Sequence, residues 1–412
     1  MAAIFSGCGM SGRETAGGVV SNKDEKIVIS VLAGQSTSDA GIEDMIDDVL
    51  AEKFPDIKLE WECVDWGDNF SSQLQGRIAA GEVPDIIIGK AQDVSNYARE
   101  GILAEIQIDE IDRIDEEALE TVLVDDKVYG IPYNAWYQGV IYNKKIFDDL
   151  GMQVPTTLDE LAMVVDTCEE KKITAFASHF QESWKIANMS MQFFVESELA
   201  DNPEWGDMFR KEEIGFQQNQ VMMECLQQNQ YILEHTWSDA ATIDQYESDK
   251  RFAEGQAAMY LTGTWSLQSL DQYTDEDGAY GIFPYPIGNS PKLIKEINMT
   301  LMMSNSSKYQ KEVQAIFSEL FSNQELMQEI LGFTQTYSVV DGIDSGYQSS
   351  IQEDVDYYEG NGLIVGADKG NNQLVWDFQI ALADETQKWL NGEKSLEYVL
   401  SFADKNRMLS GN

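Results

Sequence analysis

The chain of 412 residues contains two histidines, His179 and His235. Two are few for metal or triad chemistry, and neither sits in an H-E-x-x-H pattern; each reads as a surface or packing residue. There is no phosphate-binding Walker loop and no G-x-S-x-G elbow either. The four cysteines, Cys8, Cys63, Cys168 and Cys225, form no C-x-x-C spacing, which gives no zinc site. No catalytic residue, metal ligand or cofactor motif is therefore nominated. Positive charge is also scarce: 28 Lys and Arg stand against 72 Asp and Glu, a net charge of −44. Such a chain repels phosphate backbones, so nucleic acid is excluded as a partner. Anionic ligands meet the same adverse field, which leaves neutral or cationic small molecules. The charge also serves solubility. Finally, no apolar run reaches the roughly eighteen residues of a membrane span.

What is present is a rhythm of strand and helix. Ile27 to Leu32 reads as a strand, Ile42 to Phe54 as a helix and Lys58 to Val64 as a second strand. Asn69 to Ala80 is a helix closed by Gly81, and Ile86 to Ile88 a buried strand ending at Gly89-Lys90. Strand alternating with helix in this way implies a parallel, doubly wound α/β sheet. Thr157 with Glu160 three residues on is a capping box that opens a further helix. Asn298 to Ser304 reads as a strand, Ser307 to Ser322 as an amphipathic helix, and Leu374 to Asp404 as two helices split at Asn391-Gly392. A chain of this length is long for one core, so two lobes are expected.

The most informative stretch is Phe252 to Trp265, FAEGQAAMYLTGTW. Gly255 suits the left-handed position that stops a helix. Ala257 to Leu261 is a continuous apolar run of the kind that forms a strand buried on both faces. Thr262-Gly263-Thr264 breaks that run, and a new helix begins at Ser266. In open α/β sheets, ligands sit outside the carboxyl ends of strands, which would put Trp265 at a binding edge. A place in the core suits the same residue equally well.

The pattern F-x-x-G-x-A-A-M-x-x-x-G-x-W resembles the signature of the family 1 extracellular solute-binding proteins. These are the ligand receptors of ABC importers, mostly for carbohydrates. Three further segments resemble the same family in the same order. They are Gly81-Glu82-Val83-Pro84-Asp85 with its apolar run, Tyr129-Gly130-Ile131-Pro132 followed by Tyr142-Asn143-Lys144, and Tyr280 to Pro286. The resemblance implies a two-lobed α/β fold of the type II periplasmic-binding-protein kind, with doubly wound sheets joined by a hinge. It implies lobe crossings near 133, 294 and 332. Residues 26–133 with 294–332 then form one lobe, and 134–293 with 333–412 the other. At the start of the chain, Phe5-Ser6-Gly7-Cys8 resembles a lipobox. Residues 1–25 are then the end of a truncated signal peptide followed by a Gly- and Ser-rich tether. Cys8 would carry lipid on the extracellular face of a bacterial membrane. Removing Cys8 leaves an odd number of cysteines, and so at least one free, buried thiol.

Binding chemistry is written in the aromatics. Of nine tryptophans, those at 66, 136, 184, 237, 265 and 376 fall on expected loops or element ends. A sugar has an apolar C–H face that an aromatic ring covers, and a rim of hydroxyls that amides and carboxylates bond. Core packing is the competing reading for each ring alone, and the favoured one for Trp61, Trp205 and Trp389. With the family's contact loops as a guide, the candidate ligand-binding residues are Gln35, Trp66, Lys90, Asn134, Trp136, Trp184, Trp265, Tyr337 and Trp376. Trp66, Trp265 and Trp376 would stack, while Gln35, Lys90 and Asn134 would bond hydroxyls. Trp136, beside a crossover, would sense closure.

The expected function is that of a monomeric, lipid-anchored receptor. It would bind a neutral sugar or oligosaccharide between its lobes and deliver it to an ABC permease. Two alternatives remain at this stage. One is an enzyme using a carboxylate pair across the cleft, which sequence alone does not place. The other is a sensor subunit that presents its ligand to a receptor kinase.

Overall fold

The computed structural model describes residues 26–65, 68–202, 204–274, 279–346, 349–367 and 374–410. Cys8 and Trp66 lie outside them. Two separate sheets, each with its own hydrophobic core, make two lobes.

The first sheet begins with β1 (Ile27–Gly34), β2 (Ile57–Val64) and β3 (Ile86–Lys90). Between them run the helices Ile42–Lys53 and Asp68–Ala80, which follow the apolar spacing of the sequence. The second ends at Gly81, whose φ of +71° suits a residue without Cβ. A short hairpin, β4 (Leu123–Val124) and β5 (Lys127–Val128), precedes β6 (Ile131–Pro132).

The second lobe is built on β7 (Asn134–Asn143), a long, mostly buried strand in which Trp136, Tyr142 and Asn143 are half-buried. Around it gather β8 (Thr174–Ala177), β9 (Ala257–Gly263), β10 (Tyr280–Phe283) and β11 (Leu293–Ile297). The chain then returns to the first sheet through β12 (Met299–Met303), and the remaining short strands are β13 (Tyr337–Ser338) and β14 (Ile364–Gly366).

The first sheet has the order β2-β1-β3-β12-β6. The parallel order expected from the strand–helix rhythm holds for β2, β1 and β3. It fails at β12, which is antiparallel to both β3 and β6. The reason is the connection: β12 follows from the second lobe and enters the sheet from the opposite end. The second sheet is mixed, with β7 antiparallel to β9, β10, β11 and β13.

Two local expectations also change. The strand β9 continues through Thr262 and Gly263, so the turn comes at Thr264–Ser266, a single 3-10 turn before the helix Leu267–Asp271. At the helix Leu158–Glu170, the Thr157 hydroxyl accepts from Glu160 N as expected. The Glu160 carboxylate accepts instead from the backbone N–H and hydroxyl of Thr156, one residue earlier. All three described cysteines are free, with Cys168 and Cys225 buried.

The crossings between lobes are tied together by one side chain. Asn134 is 1% exposed. Its amide donates to Thr336 Oγ1 at 3.1 Å and accepts from Met299 N at 2.8 Å. The backbone carbonyl of the same residue accepts from Asn298 N at 2.9 Å. Segments near 134, 298 and 336 are thereby held at one point. No helix among the described residues is long and apolar enough to cross a membrane.

Candidate functional site

A cavity of about 1000 Å³ lies between the lobes. The first lobe contributes Lys90 at the end of β3, and Asp93, Asn96 and Tyr97 from the helix Ala91–Arg99. The second contributes Trp136 and Gln138 from β7, Trp265 from the turn after β9 and Glu296 from β11. The helix Ser183–Phe194 adds Trp184, Asn188 and Gln192, and the helix Trp376–Leu390 adds Trp376 and Gln379.

These positions follow from secondary-structure geometry. Trp136 and Gln138 are two apart on a strand and so share a face. Trp136 is paired in register with Glu296, and Gln138 with Ile294. Trp184, Asn188 and Gln192 are spaced by four and lie on one helix stripe.

The polar groups form a continuous strip. Gln192 Nε2 donates to Asn188 Oδ1 at 3.0 Å, and Asn188 Nδ2 to Gln138 Oε1 at 2.9 Å. Gln138 Nε2 donates in turn to the Glu296 carboxylate. Lys90 Nζ closes the strip 3.6 Å from the other Glu296 oxygen. Two acceptors in the wall, Gln192 Oε1 and Asn298 Oδ1, are buried without a hydrogen-bond partner. A buried acceptor without a donor is costly, so these atoms favour a ligand rich in O–H or N–H groups.

Four tryptophans surround the strip. Trp136 and Trp265 meet edge to face with centroids 5.4 Å apart. Trp184 packs on the His179 ring at 5.1 Å. The Trp376 ring lies under Lys90 Nζ at 5.9 Å. Trp265 rests directly on β9: a Cβ placed on Gly263 would lie 2.0 Å from Trp265 Cζ3. Gly263→Ala must therefore displace the indole and not the strand. The expected outcome is a changed near-UV dichroism and weaker ligand binding, with melting lowered by less than about 1 kcal/mol. Unchanged dichroism would show that the ring does not depend on Gly263.

The charges around the cavity are shifted by burial. Loss of water pushes the Asp93 carboxyl up to about 6, with Lys90 opposing the rise and Asp377 adding to it. Behind Trp184, burial pushes the Lys185 ammonium down to about 7 against the pull of Asp249. His179 is fully buried and held down to about 2, by burial first and Lys185 second. Its Nδ1 is 3.4 Å from Glu182 Oε2, but the neutral ring makes no hydrogen bond there.

A buried neutral histidine has a pH signature. The unfolded chain takes up the proton below about 6.5, whereas the folded state refuses it until near 2. Stability from this group is full above pH 6.5 and falls as pH drops below it. The loss between pH 6.5 and 4.5 is expected to be about 2 kcal/mol, and to vanish in His179→Asn. Denaturation curves of both proteins across this window check it. Asp93 and Asp249, with raised pKa values, act in the opposite sense and cancel in the difference between the two proteins.

Among the described residues no group of His, Cys, Asp and Glu is arranged to hold a metal ion. What the cavity offers is recognition: flat apolar faces, a strip of amides and carboxylates, and walls from two lobes. The same conclusion comes from similarity. Residues 33–327 match the model of the bacterial extracellular solute-binding proteins. The chain belongs to this family. A multiple sugar-binding protein of Streptococcus mutans is 24% identical over 356 residues, spanning 80% of this chain and 79% of the relative. The fold is shared with a chitin oligosaccharide binding protein at a TM-score of 0.79 and 18% identity, over 93% of this chain and 98% of that one. It is shared as well with a sugar transporter from Bacillus licheniformis in complex with stachyose, at a TM-score of 0.77 and 16% identity, over 93% and 100% of the two chains. As a family member the protein is a binding protein and not an enzyme.

Of the nine candidate residues, Lys90, Asn134, Trp136, Trp184, Trp265 and Trp376 line the cavity. Asn134 does so with both ends of its amide bonded within the crossovers, so its side chain ties the crossing segments together at the cavity wall. Gln35 does not line it. Its amide donates to Asp39 Oδ1 along its own helical turn, while the next residues, Ser36 and Thr37, reach the cavity. Tyr337 does not line it either. It packs at 4.8 Å against Tyr137, which by strand alternation faces away from Trp136. Trp66 falls outside the described residues. Sequence reasoning missed Gln138, Asn188, Gln192 and Glu296. The available signal was polar residues inside otherwise apolar elements, at i+2 from Trp136 and at i+4 and i+8 from Trp184.

Proposed function

We propose that the protein binds a neutral sugar or oligosaccharide in the cavity between its lobes and delivers it to the permease of an ABC importer. The carrying observation is the cavity wall itself, where four tryptophans alternate with the Gln192–Asn188–Gln138–Glu296 strip. Trp136, Trp184, Trp265 and Trp376 cover the C–H faces of the sugar rings. The strip, with Lys90, exchanges hydrogen bonds with the hydroxyls. Gln192 Oε1 and Asn298 Oδ1 accept from hydroxyls and so gain the donors they lack. A cavity near 1000 Å³ is at the upper end of small-molecule sites and suits an oligosaccharide better than a single ring.

Closure follows because the ligand meets both lobes at once only when they are together. The lobes turn about the Asn134 crossing. The multiple sugar-binding relative and the stachyose-bound neighbour support the ligand class. The resemblance of Phe5-Ser6-Gly7-Cys8 to a lipobox supports an anchor on the outer face of the membrane. The test is calorimetric titration with neutral di-, tri- and tetrasaccharides. At least one is expected to bind with a micromolar or tighter dissociation constant. Failure of the whole panel, with binding of amino acids or peptides instead, would overturn the reading.

A further inference from the structure

Lys90 belongs to the first lobe by position, being the last residue of β3. Its ammonium does not stay there. It lies 5.8 Å from the Trp136 centroid and 5.9 Å from that of Trp376, and 3.6 Å from Glu296 Oε1. All three partners come from the second lobe. The ammonium of one lobe is thus seated among two rings and a carboxylate of the other. Lys90 and Glu296 side chains are 29% and 15% exposed, so water screens the pair only in part. Glu296 is itself fixed by Gln138, which Asn188 holds in turn.

Two further features point the same way. Glu296 has as its strand neighbour Lys295, which faces the other side of β11. Lys295 Nζ is 3.4 Å from Asp115 Oδ2, a residue just before the helix Glu116–Glu120 whose neighbours Ile114 and Ala118 belong to the first core. One strand of the second lobe therefore carries opposite charges on its two faces, each meeting the complementary charge of the first lobe. The second feature is repulsion. Asp377 of the second lobe adds to the cost that burial places on ionising Asp93 of the first, and Lys90 is the cation that offsets it.

We propose that Lys90 is an interlobe latch: its ammonium, docked among Trp136, Trp376 and Glu296, draws the lobes together before any ligand arrives. In the free protein the latch sustains a closed population beside an open one. An incoming ligand, by bonding Glu296 and stacking on the two rings, takes over contacts that Lys90 has pre-formed. The proposal does not depend on which ligand is carried, and it is tested without one.

The test uses electron–electron resonance distances between spin labels on exposed positions of the two lobes, Lys58→Cys and Met163→Cys, in a Cys8→Ser, Cys63→Ser background. Cys168 and Cys225 are buried and need no change. The parent should show a short-distance population. Lys90→Met, which keeps the stem and removes the charge, should lower its ratio to the long-distance population about tenfold. Glu296→Gln should act in the same direction, as should molar salt on the parent. The charge exchange Lys90→Glu with Glu296→Lys should restore the short distance. Unchanged distances in both single variants would overturn the latch. So would opening in the single variants that the exchange fails to reverse, because the effect would then be lost packing and not the pairing of charge.

Discussion

Trp265→Ala is expected to cost the protein at least about thirtyfold in ligand affinity while leaving its fold almost as stable as before. The ring is half-buried, lines the cavity, and touches Trp136 edge to face. Removing an aromatic platform from the centre of a binding surface typically costs on the order of 2 kcal/mol or more, which is the thirtyfold. The unliganded protein loses mainly the edge contact with Trp136, worth about 1 kcal/mol. No core cavity opens, because the ring stands on the outer end of β9 over Gly263. Calorimetric titration and ligand-free melting on the same variant separate the two quantities. A large melting drop with affinity retained would return Trp265 to the core.

Trp205→Ala should do the reverse. Trp205 is fully buried, stacked on Phe209 at 5.1 Å and edge-on to Phe216 at 5.5 Å. It does not line the cavity. Truncation of such a ring costs about 3–5 kcal/mol in lost burial and cavity formation. Affinity measured on the molecules that remain folded should be unchanged. Trp205→Phe should cost clearly less than the alanine variant. It keeps most of the volume and also removes an indole N–H that is buried without a partner. A variant that melts normally but binds poorly would contradict the division of labour between these two tryptophans.

The contrast between Trp265 and Trp205 shows how far the sequence could be read. Trp265 follows an apolar run at a strand end, whereas Trp205 stands in the polar stretch 201–207, where nothing local reveals its burial. The family signature from Phe252 to Trp265 supplied that place for Trp265, as the crossover segment did for Trp136. The fold was legible for the same reason: apolar runs of strand length separated by helices with clear stops at Gly81, Gly255 and Gly392. Sheet direction was less legible. Nothing local marks β12 as antiparallel, because direction is set by a connection spanning the whole second lobe.

Within the site, the residues that escaped were the polar ones. Gln138 and Glu296 lie in segments that the sequence did not mark as strands, and they meet at the cavity only when β7 and β11 pair. Asn134 lines the cavity and is also engaged within the protein, its amide bonded to Thr336 and Met299, partners about two hundred and one hundred and sixty-five positions away, which no local pattern reveals. Tyr337 does not line the cavity, because the period of two along β7 puts its partner Tyr137 on the face opposite Trp136.

The central claim is that ligand is enclosed between two lobes that turn about the Asn134 crossing. Small-angle X-ray scattering tests this most directly, on the wild-type protein with and without a saturating sugar found by titration. The predicted result is a smaller radius of gyration in the complex, as the open population joins the closed one, with the largest change in Lys90→Met, which starts most open. A saturating ligand that leaves the scattering of both proteins unchanged would contradict closure around the ligand.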